Sequence, residues 1–566
     1  MRDLRGGQEG VGRTVFSGSE IEEFGVEILG VLENAGPRQS IILGHLSGGP
    51  LERTGVLQGM SGSPVYIDGK LVGAVALAFP FTSEPIAGIR PIEEMLRRPA
   101  NPVGQPIARA SLLDRRLTSL FPEREEFLAA GGRLTEIATP VSFSGMTQRT
   151  IEEFAPELRA IGLEPRAGLA GGGSAGPAMG APESVKPGSM ISVLLLTGDM
   201  MVGADGTVTH VDGSEIYAFG HRFLSVGSTE LPFTRSEVIT LAPNLSTSFK
   251  ISASRETLGA ITADYSTAVA GELGRRAAMV PVAIKVFGHR GNNAAERLFE
   301  YGMEMVNDRY LAPFLLQMAV YSAIDATERT LGASSIALSG EITFDNGVTP
   351  IRLDDMYAGD GNVPRDASLG AAIPMAYLLQ SGFDDLRLKG VTIEIRVFDE
   401  RRLWQVDQVW PDKQKVRPGE ELELSVVLIG DNGQERVHRA KYQVPVGAPE
   451  GTLNITVADA MTVNLSEYRH LADTRQRSSA QVVTLLNELR RNTSAYVRLW
   501  RYERGYTVQG HNLPAPPASV SLLLGRAQPA VGGASLSYSS KIAEIPVGAG
   551  DAVITGSKTI QVEVAE

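Results

Sequence analysis

The chain has 566 residues, 43% of them hydrophobic and 21% charged, with a net charge of −12. That length is too great for one core, so about three to four domains are expected. No apolar run of about 18 residues marks a membrane span, no Lys/Arg block favours nucleic acid, and the lack of cysteine excludes disulfides, thiolate catalysis and Cys-ligated zinc.

The histidines, at 45, 210, 221, 289, 438, 470 and 511, form no HExxH and no tight cluster with carboxylates, so neither a metal nor a cofactor is expected. Asp354-Asp355 with Asp360-Gly361-Asn362 fits no EF-hand spacing and reads as a solvated acidic loop. The opening Met-Arg-Asp-Leu-Arg-Gly-Gly reads as an abrupt start, and an export signal removed from before it is the expectation, placing the protein in the periplasm or outside a bacterial cell.

Residues 1–100 read as short strands forming a β-barrel: Thr14–Phe16, Phe24–Leu29 and Ser40–Leu43 are β-rich runs separated by turn residues. Gly59-Met60-Ser61-Gly62-Ser63-Pro64 follows. Its glycines allow a tight turn in which successive N–H groups converge. A serine at the centre of such a turn can attack a carbonyl while N–H groups hold the oxyanion. Val65–Ile67 and Leu71–Val75 then flank Asp68-Gly69, a hairpin signal.

Residues 101–187 read as a helical segment, with helical patterns from 105 to 165, ending in a Gly/Ala-rich linker over 166–187. A second barrel is expected over 188–290, where Val208–Val211 and Glu215–Phe219 flank Asp212-Gly213 and lead to Gly220-His221. Residues 291–400 read as α+β, including an amphipathic helix over 310–331 with Leu315, Met318, Ala319 and Ser322 near one face. Residues 401–470, with alternation in Leu422–Val427 and Leu453–Val457, resemble an immunoglobulin-like sandwich. Residues 471–566 complete the chain with a helix and strands.

The run Thr54–Pro64 followed by Asp68–Val75 resembles the SpoIVB peptidase family, bacterial serine endopeptidases of the trypsin-like superfamily. The resemblance implies a double β-barrel core, and with the C-terminal β-sandwich read above the fold is expected to be mainly β with some α. It implies Ser61 as nucleophile, Gly59 and Ser61 N–H groups as oxyanion hole, and His221, in Tyr217–His221, as general base. Phe287–Arg290 repeats the Phe-Gly-His-Arg tetrapeptide around His289, but the family-like surroundings, including Leu231-Pro232, belong to His221. In the family the histidine comes before the serine; here Ser61 comes first, so the blocks read as circularly permuted, which a triad defined by spatial roles allows.

In the family pattern an aspartate shortly precedes the serine, whereas His45–Pro50 offers no carboxylate. Asp264 is therefore the expected third member, ahead of Glu256, Glu230 and Asp212, and a Ser-His dyad stays open. Ala76-Leu77-Ala78-Phe79 is expected to pair with extended substrate and wall an apolar pocket. The substrate is expected to be protein or peptide, with self-cleavage in the 166–187 loop.

Bland readings stand beside these. Ser61 in a structural turn, His221 as a buried hydrogen-bonded histidine and Asp264 as a cap on backbone N–H groups would suit a catalytically inactive protease-like binding or scaffold protein of the bacterial envelope. The C-terminal half fits a regulatory protein partner under either reading.

Overall fold

The computed structural model describes residues 4–36, 39–79, 84–97, 111, 116–117, 121, 126–129, 132–168, 179–244, 247–288, 297–327, 334–345, 347–383, 386–465, 478–508, 511–513, 516–526, 534–548 and 550–565. The chain is mainly β and divides into two compact units, the first made chiefly of residues up to Ile284. His289, His470 and positions 169–178 of the Gly/Ala-rich loop lie outside the described residues.

The first unit begins with six strands: β1 (Glu9–Thr14), β2 (Glu22–Gly36), β3 (Gln39–Ser47), β4 (Pro64–Ile67), β5 (Lys70–Ala78) and β6 (Ile86–Pro91). All pairings are antiparallel, in the order β1-β2-β3-β6-β5-β4, and β4 returns to β1, so the sheet closes into a barrel. Closure removes every free edge along the paired stretches. Alternating strand residues such as Phe24, Val26 and Ile28 point into a core shared with Ile42, Leu46, Val65, Val75 and Ile89. Each such fully buried aliphatic side chain contributes about 1.5–3 kcal/mol. The β4–β5 turn is Asp68-Gly69, with φ of 49° and 73°, as its Asp-Gly sequence predicts.

Where helical patterns are expected, from 105 to 165, the described residues hold mostly strands: β7 (Glu126–Ala129), β8 (Gly132–Glu136), β9 (Thr139–Ser144) and β10 (Leu163–Ala167) surround one helix, Gln148–Ala160. Runs of four to six residues are too short for periodicity to separate strand from helix, and tertiary pairing decided. β8 pairs with β5 and with β7, while β9 joins the second barrel's β12.

That barrel comprises β11 (Met190–Gly198), β12 (Met201–Asp212), β13 (Glu215–Ala218), β14 (Gly227–Ala242), β15 (Phe249–Tyr265) and β16 (Ala268–Leu273). Its order is β11-β12-β13-β16-β15-β14, closed by β14 on β11. Numbered within each barrel, both run 1-2-3-6-5-4, the trypsin-like double-barrel architecture. The expected helix near 310–331 runs from Leu311 to Thr327, but it is not amphipathic in use: every residue from Leu311 to Ile324 is buried. Its polar positions are few and small enough to be enclosed on all sides. Phe314 and Tyr321 pack edge-on against Phe154 of the 148–160 helix.

In the second unit, the helix Val363–Leu379 lies on the antiparallel pair Ser334–Phe344 and Ile351–Gly359. Gly370 there sits against the Tyr357 hydroxyl, where a Cβ would collide. A β-sandwich follows, with one sheet of four strands (403–411, 421–430, 435–443, 553–555) and one of five (415–416, 451–459, 494–501, 540–548, 557–564). Leu422, Leu424 and Leu428 from one sheet meet Ile455, Val497 and Val562 from the other in one core. Among the described residues no helix is long and apolar enough to cross a membrane.

Candidate active site

Ser61 lies between the third and fourth strands of the first barrel, and His221 lies between the third and fourth strands of the second. The fold brings these two corners together. The Thr207 N–H donates to the Ser61 carbonyl at 2.9 Å, the Thr207 hydroxyl to the Gly59 carbonyl at 2.9 Å, and the Thr209 hydroxyl to the Gly62 carbonyl at 2.7 Å. Gly62, at φ 94°, has its missing Cβ aimed at the Thr207 carbonyl and at Phe219 N, so only glycine fits where the barrels meet. Gly220 is equally close to β5: a Cβ there would come 3.1 Å from Ala76 Cβ and 3.3 Å from the Val75 carbonyl.

The turn leaves its N–H groups unequally used. Met60 N–H donates to Leu57, Gly62 N–H to Val75 at 2.7 Å, and Ser63 N–H to Met60. Among the described residues no backbone carbonyl accepts from Gly59 or Ser61 N–H. Gly59 takes φ 90°, a value that glycine adopts readily. These two N–H groups are the pair that can receive an oxyanion. Ser61 Oγ is buried and has no hydrogen-bond partner among the described residues. A buried hydroxyl left unsatisfied is uncommon and marks a place where another group belongs. Ser61 is 0% and His221 2% exposed, so this is a closed arrangement, and a substrate can reach it only if a covering segment moves.

His221 Nδ1 lies 2.6 Å from the Arg222 carbonyl oxygen. A carbonyl only accepts, so Nδ1 carries the proton and Nε2 presents its lone pair, the tautomer a general base requires. The loop around it is strained: Phe219 and Ser225 have φ of 71° and 57° without being glycine. Phe219 is held in place by its burial against Gly62 and Gly206.

Asp264 is the next-to-last residue of β15, the fifth strand of the same barrel. Its Oδ1 accepts from Phe223 N–H at 2.8 Å, and its Oδ2 from Leu224 N–H at 2.7 Å and Val226 N–H at 3.2 Å. Burial pushes its carboxyl up to about 6 even against these three amides. The carboxylate thus clamps the strained loop that carries His221, and the hydrogen bond on Nδ1 goes to a backbone carbonyl. That is the capping geometry weighed above, used to position the histidine. Of the weaker candidates, Glu256 pairs with Arg235 at 2.6 Å and Glu230 with Arg275 at 3.0 Å, while Asp212 ends β12 at the hairpin turn.

The strand expected to pair with substrate, Ala76–Phe79, already has partners in the structure. At Leu77 and Ala78 both edges of β5 are taken, by Gly88 and Ala87 of β6 on one side and by Glu136 and Thr135 of β8 on the other. No incoming strand can add there while β8 stays in place.

Lys250 and Asp205 escape a reading by motif. Lys250 is buried, donates to Thr14 Oγ1 at 2.8 Å, and packs its stem at Gly59. Burial lowers its ammonium to about 7, and Asp205 opposes that shift. Asp205 is pushed up to about 6 by burial, against hydroxyls such as that of Ser252 at 2.6 Å. The one available signal is that both charges stand at inward positions of their strands.

Residues 4–96 match the SpoIVB peptidase S55 family. His221 and the second barrel lie outside that span. No curated protein and no solved structure matches the chain. With the Gly59–Pro64 turn inside the matched residues and the closed barrel built from them, the N-terminal part of this chain, residues 4–96, is similar to the SpoIVB peptidase S55 family.

Proposed function

We propose that the protein is a serine endopeptidase acting on protein or peptide substrates. Ser61 Oγ attacks the peptide carbonyl carbon, and His221 Nε2 takes its proton and returns it to the leaving amine. Water then repeats the sequence on the acyl-enzyme. The N–H groups of Gly59 and Ser61 hold the oxyanion. The Arg222 carbonyl fixes the tautomer of His221, and Asp264 positions the loop, so the chemistry is that of a Ser-His dyad with a backbone orienter. The observation that carries this reading is the meeting of two equivalent barrel corners, one bringing a serine hydroxyl with no partner among the described residues and the other a histidine in the right tautomer. Circular permutation of the two blocks and export from a bacterial cell belong to the same reading.

Labelling with a fluorophosphonate probe tests it. Covalent labelling of wild type that disappears in Ser61→Ala and His221→Ala supports the dyad. Complete absence of labelling in folded protein, under conditions that open the site, sinks it. The closed state of Ser61 favours a second reading, a protease-like scaffold. A partner recovered equally by wild type and Ser61→Ala, with no labelling in either, would favour that one.

A further inference from the structure

One edge of β5 is shared between two neighbours. β4 covers it up to Ala74, and β8, which is not a barrel strand, covers it at Leu77 and Ala78. Between them the Ile137 N–H donates to the Ala76 carbonyl at 2.9 Å. Gly62 N–H bonds to Val75, the neighbouring residue, so residues 135–137 run along the stretch of β5 beside Ser61. Their side chains are equally engaged. Ile137 is buried in the cluster that holds Leu57, Met60 and Val75. Glu136 is buried with its carboxylate 3.4 Å from Nε of Arg222, the residue after His221. Backbone pairing, an apolar side chain in the cluster that holds Met60 and an ion pair to the histidine loop together describe an extended peptide bound across both barrel corners.

We infer that Thr135-Glu136-Ile137 is an internal occupant of the substrate groove, and that the groove accepts extended peptides with an aliphatic residue in the place of Ile137 preceded by an acidic residue read by Arg222. This rests on the serine-peptidase reading and names its substrate class. Arg222 is the specificity-determining residue: its buried guanidinium faces the Glu136 carboxylate, and a basic side chain in that place would meet like charge. The occupant and the substrate exclude each other, which accounts for the closed Ser61.

The test uses the full chain, with folding checked by melting curves. Wild type and Glu136→Lys are titrated with labelled acetyl-Arg-Leu-Thr-Glu-Ile-Ala-amide and with the same peptide carrying Lys for Glu. Glu136→Lys sets like charges against each other at Arg222 and unseats the segment. It is expected to bind the Glu peptide at least tenfold tighter than wild type does, and the Lys peptide at least tenfold more weakly than the Glu peptide. In Glu136→Ala/Arg222→Glu, where no charge pair reseats the segment, the preference should reverse. Equal binding by wild type and Glu136→Lys, or equal binding of the two peptides, overturns the inference. If Glu136→Lys does not fold, Glu136→Ala is read by the same comparisons. Fluorophosphonate labelling of the same variants separates the two levels: tight peptide binding without labelling overturns the peptidase chemistry and keeps the groove, and labelling with indifferent peptide binding does the reverse.

Discussion

Asp264→Ala tests whether the carboxylate holds the His221 loop. The side chain accepts three backbone N–H bonds at 2.8, 2.7 and 3.2 Å in a fully buried site. Stranding those donors costs about 1–3 kcal/mol each, or about 3–9 kcal/mol in total. Against this stands the cost of burying the charge. A carboxyl raised from 3.8 to about 6 makes the ionised folded state roughly 3 kcal/mol less favourable than an unshifted group would. Truncation relieves that, so the net loss at pH 7 is about 0–6 kcal/mol, centred on about 3 kcal/mol and within reach of urea denaturation. The pH dependence has a definite sign. The folded pKa lies above the unfolded one, so the stabilising contribution is fully present below pH 3.8 and is lost as the pH rises through 6. Wild type therefore gains relative to Asp264→Ala on acidification, and the gap widens by up to about 3 kcal/mol between pH 7 and pH 4. A gap that stays level or narrows with acid would refute the clamp.

Other perturbations have equally definite outcomes. Gly62→Ala drives a Cβ into the Thr207 carbonyl at positive φ and should abolish Ser61 labelling while destabilising the protein by more than about 3 kcal/mol, read by thermal melting. Lys250→Met removes a buried ammonium lowered to about 7. In wild type that group's stabilising contribution is present above pH 10.5 and is lost as the pH falls through 7, so the variant should show a flatter stability profile over that range in chemical denaturation. Gly370→Ala, against the Tyr357 hydroxyl, should lower the melting temperature of the second unit by several degrees without changing Ser61 labelling.

The sequence is most readable where function rests on local backbone geometry. The Asp68-Gly69 and Asp212-Gly213 turns, and the glycines flanking Ser61, are forced by positive φ, and no distant residue is needed to foresee them. The buried helix Leu311–Thr327 is visible as a helix, but what surrounds it is not, because apolar residues on every face give no stripe to read. Asp264 could be placed near His221 by barrel order alone. Its partners are amides of a loop some forty residues earlier, and amides carry no sequence signature. Ala76–Ala78 can be read as a groove strand, yet its occupant at 135–137 cannot, since strand pairing is non-local and short strands resemble short helices.

A cover built into the same polypeptide as the groove behaves unlike a separate inhibitor. Its effective concentration is set by the connecting chain, on the order of millimolar for short links, whatever the amount of protein present. Dilution cannot release β8 from β5, and overproduction of the protein cannot outrun it. Freeing Ser61 requires a competitor that binds more strongly than a tethered strand, or a pull or cut applied to the connection itself. The timing of activity is then set by that event and is independent of how many molecules the cell has made.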